Sequence, residues 1–328
     1  MIKLAILVAI SAIVHACCDE PERIIGGDIA AIGQFKYQVS LQSYGEHICG
    51  GTIISSTHIL TAAHCVDDDF YTNDMVRNRV LKIIPILLFK YLNKNLLRHM
   101  NILDIYLLNW YYFYHLSLIH LCILLFSILF SFCINIFYFN LFSQLTKLFN
   151  LQIVITGTNS PRIGGEKHDI KCIRIHPEYT GEKETGWKDD IAVITLKKPI
   201  KANDVQGPIP LASKNYINGG KRGIVSGWGR TKTSGSSSEI LRWLSVNVLS
   251  QERCLQGHKN PRTNENQICT LEKVGKGACQ GDSGGPLVVD GEVIGVVSWV
   301  LPCALGISDV YTNVHKYLDF IEESQLTC

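Results

Sequence analysis

The chain has 328 residues, 47% of them hydrophobic, and a formal net charge of +2. That is enough apolar material for a large buried core and too little charge to suggest a nucleic-acid partner. The near-neutral balance also gives no signal of any particular charged partner.

Met1-Ile2-Lys3, the apolar run from Leu4 to Val14 and the small-residue exit Val14-His15-Ala16 read as a secretory signal over 1–16. The run is too short for a membrane anchor. Twelve cysteines in an exported chain imply disulfides. Cys17 to Arg23 forms a short tail ending on a basic residue, followed at once by Ile24-Ile25-Gly26-Gly27. Gln34 to Leu41 alternates as a strand does. Cys49-Gly50-Gly51-Thr52-Ile53-Ile54 then leads to Leu60-Thr61-Ala62-Ala63-His64-Cys65. There a histidine stands between small residues and a cysteine whose bridge could fix its backbone.

Further along, His168 to Ile175 alternates, with Cys172 inside a surface strand. Asp189-Asp190-Ile191-Ala192-Val193-Ile194-Thr195-Leu196 passes from an acidic turn into a strand. Ser226-Gly227-Trp228-Gly229-Arg230 places an aromatic in a glycine-rich turn, and Thr231 to Glu239 is a Ser/Gly loop open to cleavage. Cys279-Gln280-Gly281-Asp282-Ser283-Gly284-Gly285-Pro286-Leu287 sets a serine between an acid and two glycines. Glycines let backbone approach a substrate closely, and the N–H groups of Gly281 and Ser283 could converge on one developing oxyanion. Val314 to Gln325 reads as a terminal helix. Many short strands with Gly-rich turns suggest all-β barrels.

The order His64, Asp190, Ser283, with these flanks, resembles the trypsin/chymotrypsin family of serine proteases, closest to insect-type chymotrypsins. The resemblance covers about 24–74 and 153–328. It implies an all-β fold of two six-stranded antiparallel Greek-key barrels with a C-terminal helix, the three residues meeting in the cleft between them. It implies that His64, Asp190 and Ser283 are catalytic and that Gly281 and Ser283 form the oxyanion hole. It implies that cutting after Arg23 removes a propeptide, 17–23, and frees the amine of Ile24 to pair with Asp282; the uncut chain is then an inactive zymogen. It also implies the bridges Cys49–Cys65, Cys254–Cys269 and Cys279–Cys303. Cys17, Cys18, Cys122, Cys133, Cys172 and Cys328 are left over, with Cys172–Cys328 a pairing at long odds. No metal or other cofactor is expected. The position where the family's calcium loop has its first carboxylate is Thr158.

Residues 76–152 break this pattern. Between Val76 and Gln152 there is no glycine, alanine or glutamate, while Leu, Ile, Phe, Tyr and Asn dominate. Leu116 to Phe142 is long and apolar enough for a membrane span. A single crossing, however, would part His64 from Asp190 and Ser283, and a second candidate, Ile83 to Trp110, carries Lys90, Lys94, Arg98 and Asp104. As an exposed loop the run would aggregate. The favoured reading is a retained intron. The residues are those of A/T-rich codons, Val76-Arg77-Asn78 can encode a splice donor, and Leu151-Gln152 can end in an acceptor. Removal joins Met75 to Ile153 in one strand. The protease domain, 24–328, is thus expected to be interrupted by a hydrophobic insertion, 76–152.

The resemblance places the substrate pocket at Gly277, Ser298, Trp299, Val300 and Asp309. Gly277, six residues before Ser283, stands at the floor where trypsins carry an aspartate, so a neutral floor for large apolar side chains is expected. Val300 would narrow the entrance as in elastases. Asp309 puts a charge inside, hydrated or paired with a cationic substrate. The expected order is chymotrypsin-like, then elastase-like, then cleavage after basic residues. The protein is read as a secreted, extracellular serine endopeptidase whose partners are protein or peptide substrates and possible protease inhibitors, with no nucleic acid, and a membrane only if the insertion is real. The alternatives are a non-catalytic protease homologue or an inactive, membrane-retained isoform.

Overall fold

The computed structural model describes residues 24–67, 153–232, 235–258, 263–301 and 303–328. The signal, the propeptide with Arg23, the segment 76–152, and Cys17, Cys18, Cys122 and Cys133 lie outside the described residues. The chain divides into two units, Met1–Val66 with Leu151–Cys328, and Asp67–Asn150. All the described structure except Asp67 belongs to the first.

Among the described residues, fourteen strands form two antiparallel sheets. The first holds β2 (Gln38–Ser43), β3 (Glu46–Ile53), β4 (His58–Thr61), β5 (Ile153–Thr156), β6 (Glu166–His168), β7 (Ile170–Ile175) and β8 (Ala192–Leu196). Its order is β6-β5-β2-β3-β4-β8-β7. Only Asp169 separates β6 from β7. The two edges are therefore one bent strand, and the sheet closes into a barrel of six. The continuous alternation from His168 to Ile175 hid that bend.

The second sheet holds β1 (Asp28–Ile29), β9 (Arg222–Gly227), β10 (Arg242–Val248), β11 (Gln267–Leu271), β12 (Pro286–Val289), β13 (Glu292–Trp299) and β14 (Asp309–Asn313). β9 pairs with both β12 and β10, so β9, β10, β11, β14, β13 and β12 form a ring, with β1 added outside on β10. Counted in chain order, both rings run 1-2-3-6-5-4: the fourth strand returns to lie beside the first, which is the Greek-key arrangement. Tight hairpins set the registers. Tyr44 and Gly45 between β2 and β3, and Asp290 and Gly291 between β12 and β13, all take positive φ, as two-residue hairpin turns require.

One apolar core runs through both barrels. Val39, Leu41, Ile53, Ile59, Val154 and Ile194 of the first and Val225, Leu287, Ile294, Val296 and Tyr311 of the second belong to it. Trp228 is fully buried in a satellite cluster with Ala30, Phe35 and Leu241, and its indole N–H donates to the Asn159 carbonyl at 2.9 Å.

Two α-helices occur among the described residues. α2 (Leu318–Thr327) follows a 3-10 turn, Val314–Tyr317, close to the expected bounds. α1 (Gln251–Gly257) was not expected; seven residues are too few to show a helical period. Ser250 caps it by accepting the Arg253 N–H, and Cys254 is its buried residue. No helix among the described residues is long and apolar enough to cross a membrane.

Candidate active site

His64 sits on a 3-10 turn, Ala63–Cys65, directly after β4. Ala62 and Ala63 are fully buried, so the backbone there lies against the core with only methyl side chains between them. The Cys49–Cys65 disulfide ties this turn to β3. Asp190, just ahead of β8, has no exposed surface. β4 and β8 are neighbours, with Thr61 opposite Ala192, and this pairing carries the two side chains together. Asp190 Oδ1 accepts the His64 backbone N–H at 2.9 Å, and Oδ2 lies 2.8 Å from His64 Nδ1. A carboxylate accepts only, so Nδ1 carries the proton and Nε2 is left as the basic nitrogen. Ser298 Oγ also donates to Asp190 Oδ2 at 2.6 Å, and Thr312 Oγ1 donates to the Asp190 carbonyl at 2.7 Å. Both come from the second barrel.

Ser283 lies in the loop between Cys279 and β12. The loop touches the first barrel closely: the Gly50 N–H donates to the Ser283 carbonyl at 2.7 Å. Gly284 takes φ +75°, and a Cβ there would stand 2.2 Å from Thr61 Oγ1. Glycine is therefore required beside the serine, and the loop is pressed against the strand that leads to His64. Gly281 takes φ +99°. Among the described residues no acceptor meets the N–H of Gly281 or Ser283. Both residues are partly exposed.

Asp282, between them, points the other way and is fully buried. Its Oδ1 accepts the Gly229 N–H at 2.8 Å and its Oδ2 the Cys279 N–H at 2.9 Å. Burial pushes its carboxyl up to about 6, against the lowering by these two N–H groups. Gly227 and Gly229 leave the room it needs, since a Cβ on either would stand 2.2–2.3 Å from its oxygens. Ile24 is fully buried in the main core, and the Ile25 carbonyl accepts the Gly277 N–H at 3.1 Å.

His47 was missed in the sequence, where nothing distinguishes a histidine in a hairpin strand. Its Nε2 lies 2.9 Å from the Gly281 carbonyl and its Nδ1 2.9 Å from Ser40 Oγ. A carbonyl only accepts, so Nε2 donates to Gly281 and Nδ1 accepts from Ser40. Desolvation lowers the ring's pKa to about 4 and keeps it neutral. His47 thereby holds the Gly281 peptide by its carbonyl.

Gly277, Ser298, Trp299 and Asp309 are buried and Val300 is partly so. A Cβ on Gly277 would stand 2.9 Å from Asp309 Oδ2, so the carboxyl group fills the space above this glycine. The Ala278 N–H donates to Asp309 Oδ2 at 2.7 Å. Burial raises the Asp309 carboxyl to about 7, the Ala278 N–H opposes that, and nearby Asp282 adds to it. Trp299 is held by an indole bond to the Gly186 carbonyl at 3.0 Å and by edge contact with His258. Disulfides join Cys254 to Cys269, Cys279 to Cys303 and Cys172 to Cys328. Cys49, His64 and Cys65 form the one cluster of metal-donor types among the described residues, and its sulfurs are bonded to each other. In the 157–166 loop, Thr158 Oγ1 lies 2.9 Å from the carbonyls of Ser160 and Ile163.

The family model described as Trypsin matches residues 24–83 and 147–321. Chymotrypsin-2 of Vespa crabro is 28% identical over 92% of this chain and 100% of that protein. Trypsin of Simulium vittatum is 30% identical over 86% of this chain and 84% of that protein. Among solved structures, neuropsin, a serine protease expressed in the limbic system of mouse brain, is 21% identical with a TM-score of 0.62, covering 91% of this chain and 98% of that one. A family match across both barrels and relatives aligned along most of their own length lead to one assignment: the chain belongs to the trypsin family of serine proteases.

Proposed function

We propose that the protein is a secreted serine endopeptidase that cleaves by acyl transfer through Ser283, His64 and Asp190. The supporting observation is the His64 imidazole, fixed at Nδ1 by a buried carboxylate, next to a loop whose Gly281 and Ser283 N–H groups are unoccupied. Ser283 Oγ attacks the peptide carbonyl while His64 Nε2 takes its proton. The oxyanion is held by the two N–H groups. The imidazolium, stabilised by Asp190, then protonates the leaving amine, and water repeats the sequence on the acyl-enzyme. Ser298 keeps Asp190 oriented.

The same reading extends to the ends of the chain. Residues 1–16 direct export, and cutting after Arg23 converts the zymogen by giving Asp282 an ammonium partner at Ile24. A fully buried Asp282 with no cation among its bonded partners favours this. The preferred residue before the cut is large and apolar, because Gly277 contributes no charge of its own. Residues 76–152 are absent from the working molecule; the family match, which stops at 83 and resumes at 147, favours this too. Hydrolysis of protein substrates by the secreted form, abolished in Ser283→Ala, is the expected result. Equal hydrolysis by that variant would refute the reading. Sequencing of the spliced message tests the insertion: a dominant message retaining 76–152 would refute that part.

A further inference from the structure

We propose that the groove between β7 and α2 is a binding site for the C-terminal lysine of another polypeptide. It goes beyond the endopeptidase reading and holds whether or not the protein cleaves.

The groove encloses about 400 Å³. One wall is the end of β7 with His176 after it; the other is α2. On α2, Asp319, Glu323 and Thr327 stand at every fourth position and so share one face. Unlike charges that share a cavity attract each other across it. Yet among the described residues no ion pair includes Arg174, Asp319 or Glu323. Arg174 is held at the Thr327 end instead, where its Nη2 donates to Thr327 Oγ1 at 2.6 Å. A guanidinium therefore marks one end of the groove, and two carboxylates mark the other.

The floor between these ends is fixed and partly apolar. Phe320 is packed against the main core. The His176 ring meets Phe320 and Tyr317 edge-on, with centroids 4.9 and 5.2 Å away. Ser324, one turn after Phe320, is only 2% exposed and lines the groove. Among the described residues no hydrogen bond reaches its hydroxyl. A buried hydroxyl left without a partner is costly, and a ligand in the groove would relieve that cost.

The charges choose the ligand. A lone cation would face Arg174, and a lone anion would face Asp319 and Glu323. A molecule with one charge of each sign at its two ends meets neither conflict. Helix rise puts Thr327 about 6 Å beyond Glu323 and about 12 Å beyond Asp319. The α-carboxylate and the ammonium of an extended lysine are about 7 Å apart. The carboxylate can thus reach Arg174 while the ammonium lies between the two acids and the methylenes cover Phe320. Free lysine would bring a second ammonium, on its α-carbon, next to Arg174. In a polypeptide that group is a neutral amide. Arg174, Asp319 and Glu323 are exposed, so the groove is open to a chain end.

The test is isothermal titration of the secreted Ser283→Ala protein, at low ionic strength, with a short alanine-rich peptide ending in lysine. Saturable binding to one site is expected. The same peptide amidated at its C-terminus, the same peptide ending in norleucine, and free lysine should each bind at least about threefold more weakly. Glu323→Gln and Arg174→Gln, each added to Ser283→Ala, should weaken the lysine-ended peptide by a similar factor. No saturable binding overturns the proposal. So does an amidated or norleucine-ended peptide that binds as tightly, since one charge would then suffice. Free lysine binding as tightly overturns the polypeptide as occupant. Binding undiminished in Glu323→Gln places the peptide elsewhere, the substrate pocket included, and overturns the site; the peptide comparison needs no change in the groove and decides the matter even if a variant does not fold.

Discussion

Asp190 has no exposed surface, yet each of its oxygens is engaged: Oδ1 by a backbone N–H, Oδ2 by an imidazole and a hydroxyl, its carbonyl by Thr312. A buried carboxylate held by three donors from three directions cannot turn. Asp190→Asn keeps the shape but favours the wrong histidine tautomer; kcat is expected to fall about 10⁴-fold, the size characteristic of triads of this type, with KM little changed. Steady-state kinetics checks this, and a loss under tenfold would contradict it. Asp282 is the opposite case, an acid held by two neutral N–H groups. Because its folded pKa of about 6 exceeds its ordinary 3.8, the folded uncut chain binds the proton more tightly than the unfolded one. Stability is then greatest below pH 4 and declines as pH rises toward 6, by about 3 kcal/mol at about 1.4 kcal/mol per unit. An ammonium supplied by cutting after Arg23 removes that loss. Guanidinium unfolding should show cutting to stabilise the protein more at pH 8 than at pH 4; equal stabilisation at both would contradict the pairing. The residues of this candidate site stood out in the sequence because each kind of chemistry demands one side chain with recognisable flanks, and the contact of His64 with Asp190 accords with that reading. His47 was not, since its role depends on which carbonyl lies opposite.

Among the elements, α2 is held where no local signal would place it. The Cys172–Cys328 disulfide joins its end to β7, Arg174 bonds to Thr327 beside it, and Tyr317 donates to Asp189 at 2.6 Å. Residues 156 apart in sequence carry no mark of their meeting, which is why this bridge could be named only at long odds. A double change, Cys172→Ser with Cys328→Ser, is expected to cost about 2–4 kcal/mol of stability in chemical denaturation while hydrolysis persists. Lost hydrolysis in a protein of undiminished stability would contradict a purely structural role. α1 and the bend at Asp169 were missed for a related reason: one is too short for periodicity, and the other breaks a strand without breaking its alternation.

At the scale of the whole molecule, two barrels with the same strand order share one core, and the site draws a histidine and an acid from the first and a serine loop from the second. That division was legible from short strands, turns and motif order together. The apolar run 76–152 lies in the sequence between β4 with His64 and β5, a strand interior to the first barrel. Intact mass of the secreted protein is expected to match a chain starting at Ile24 and lacking 76–152; an active species of full mass would contradict this. The most direct test of the central claim is adduct mapping with an organophosphonate on that secreted protein. The account predicts a single adduct on Ser283 that disappears in His64→Ala. Proteolysis that persists with Ser283 unlabelled, or labelling indifferent to His64, would contradict it.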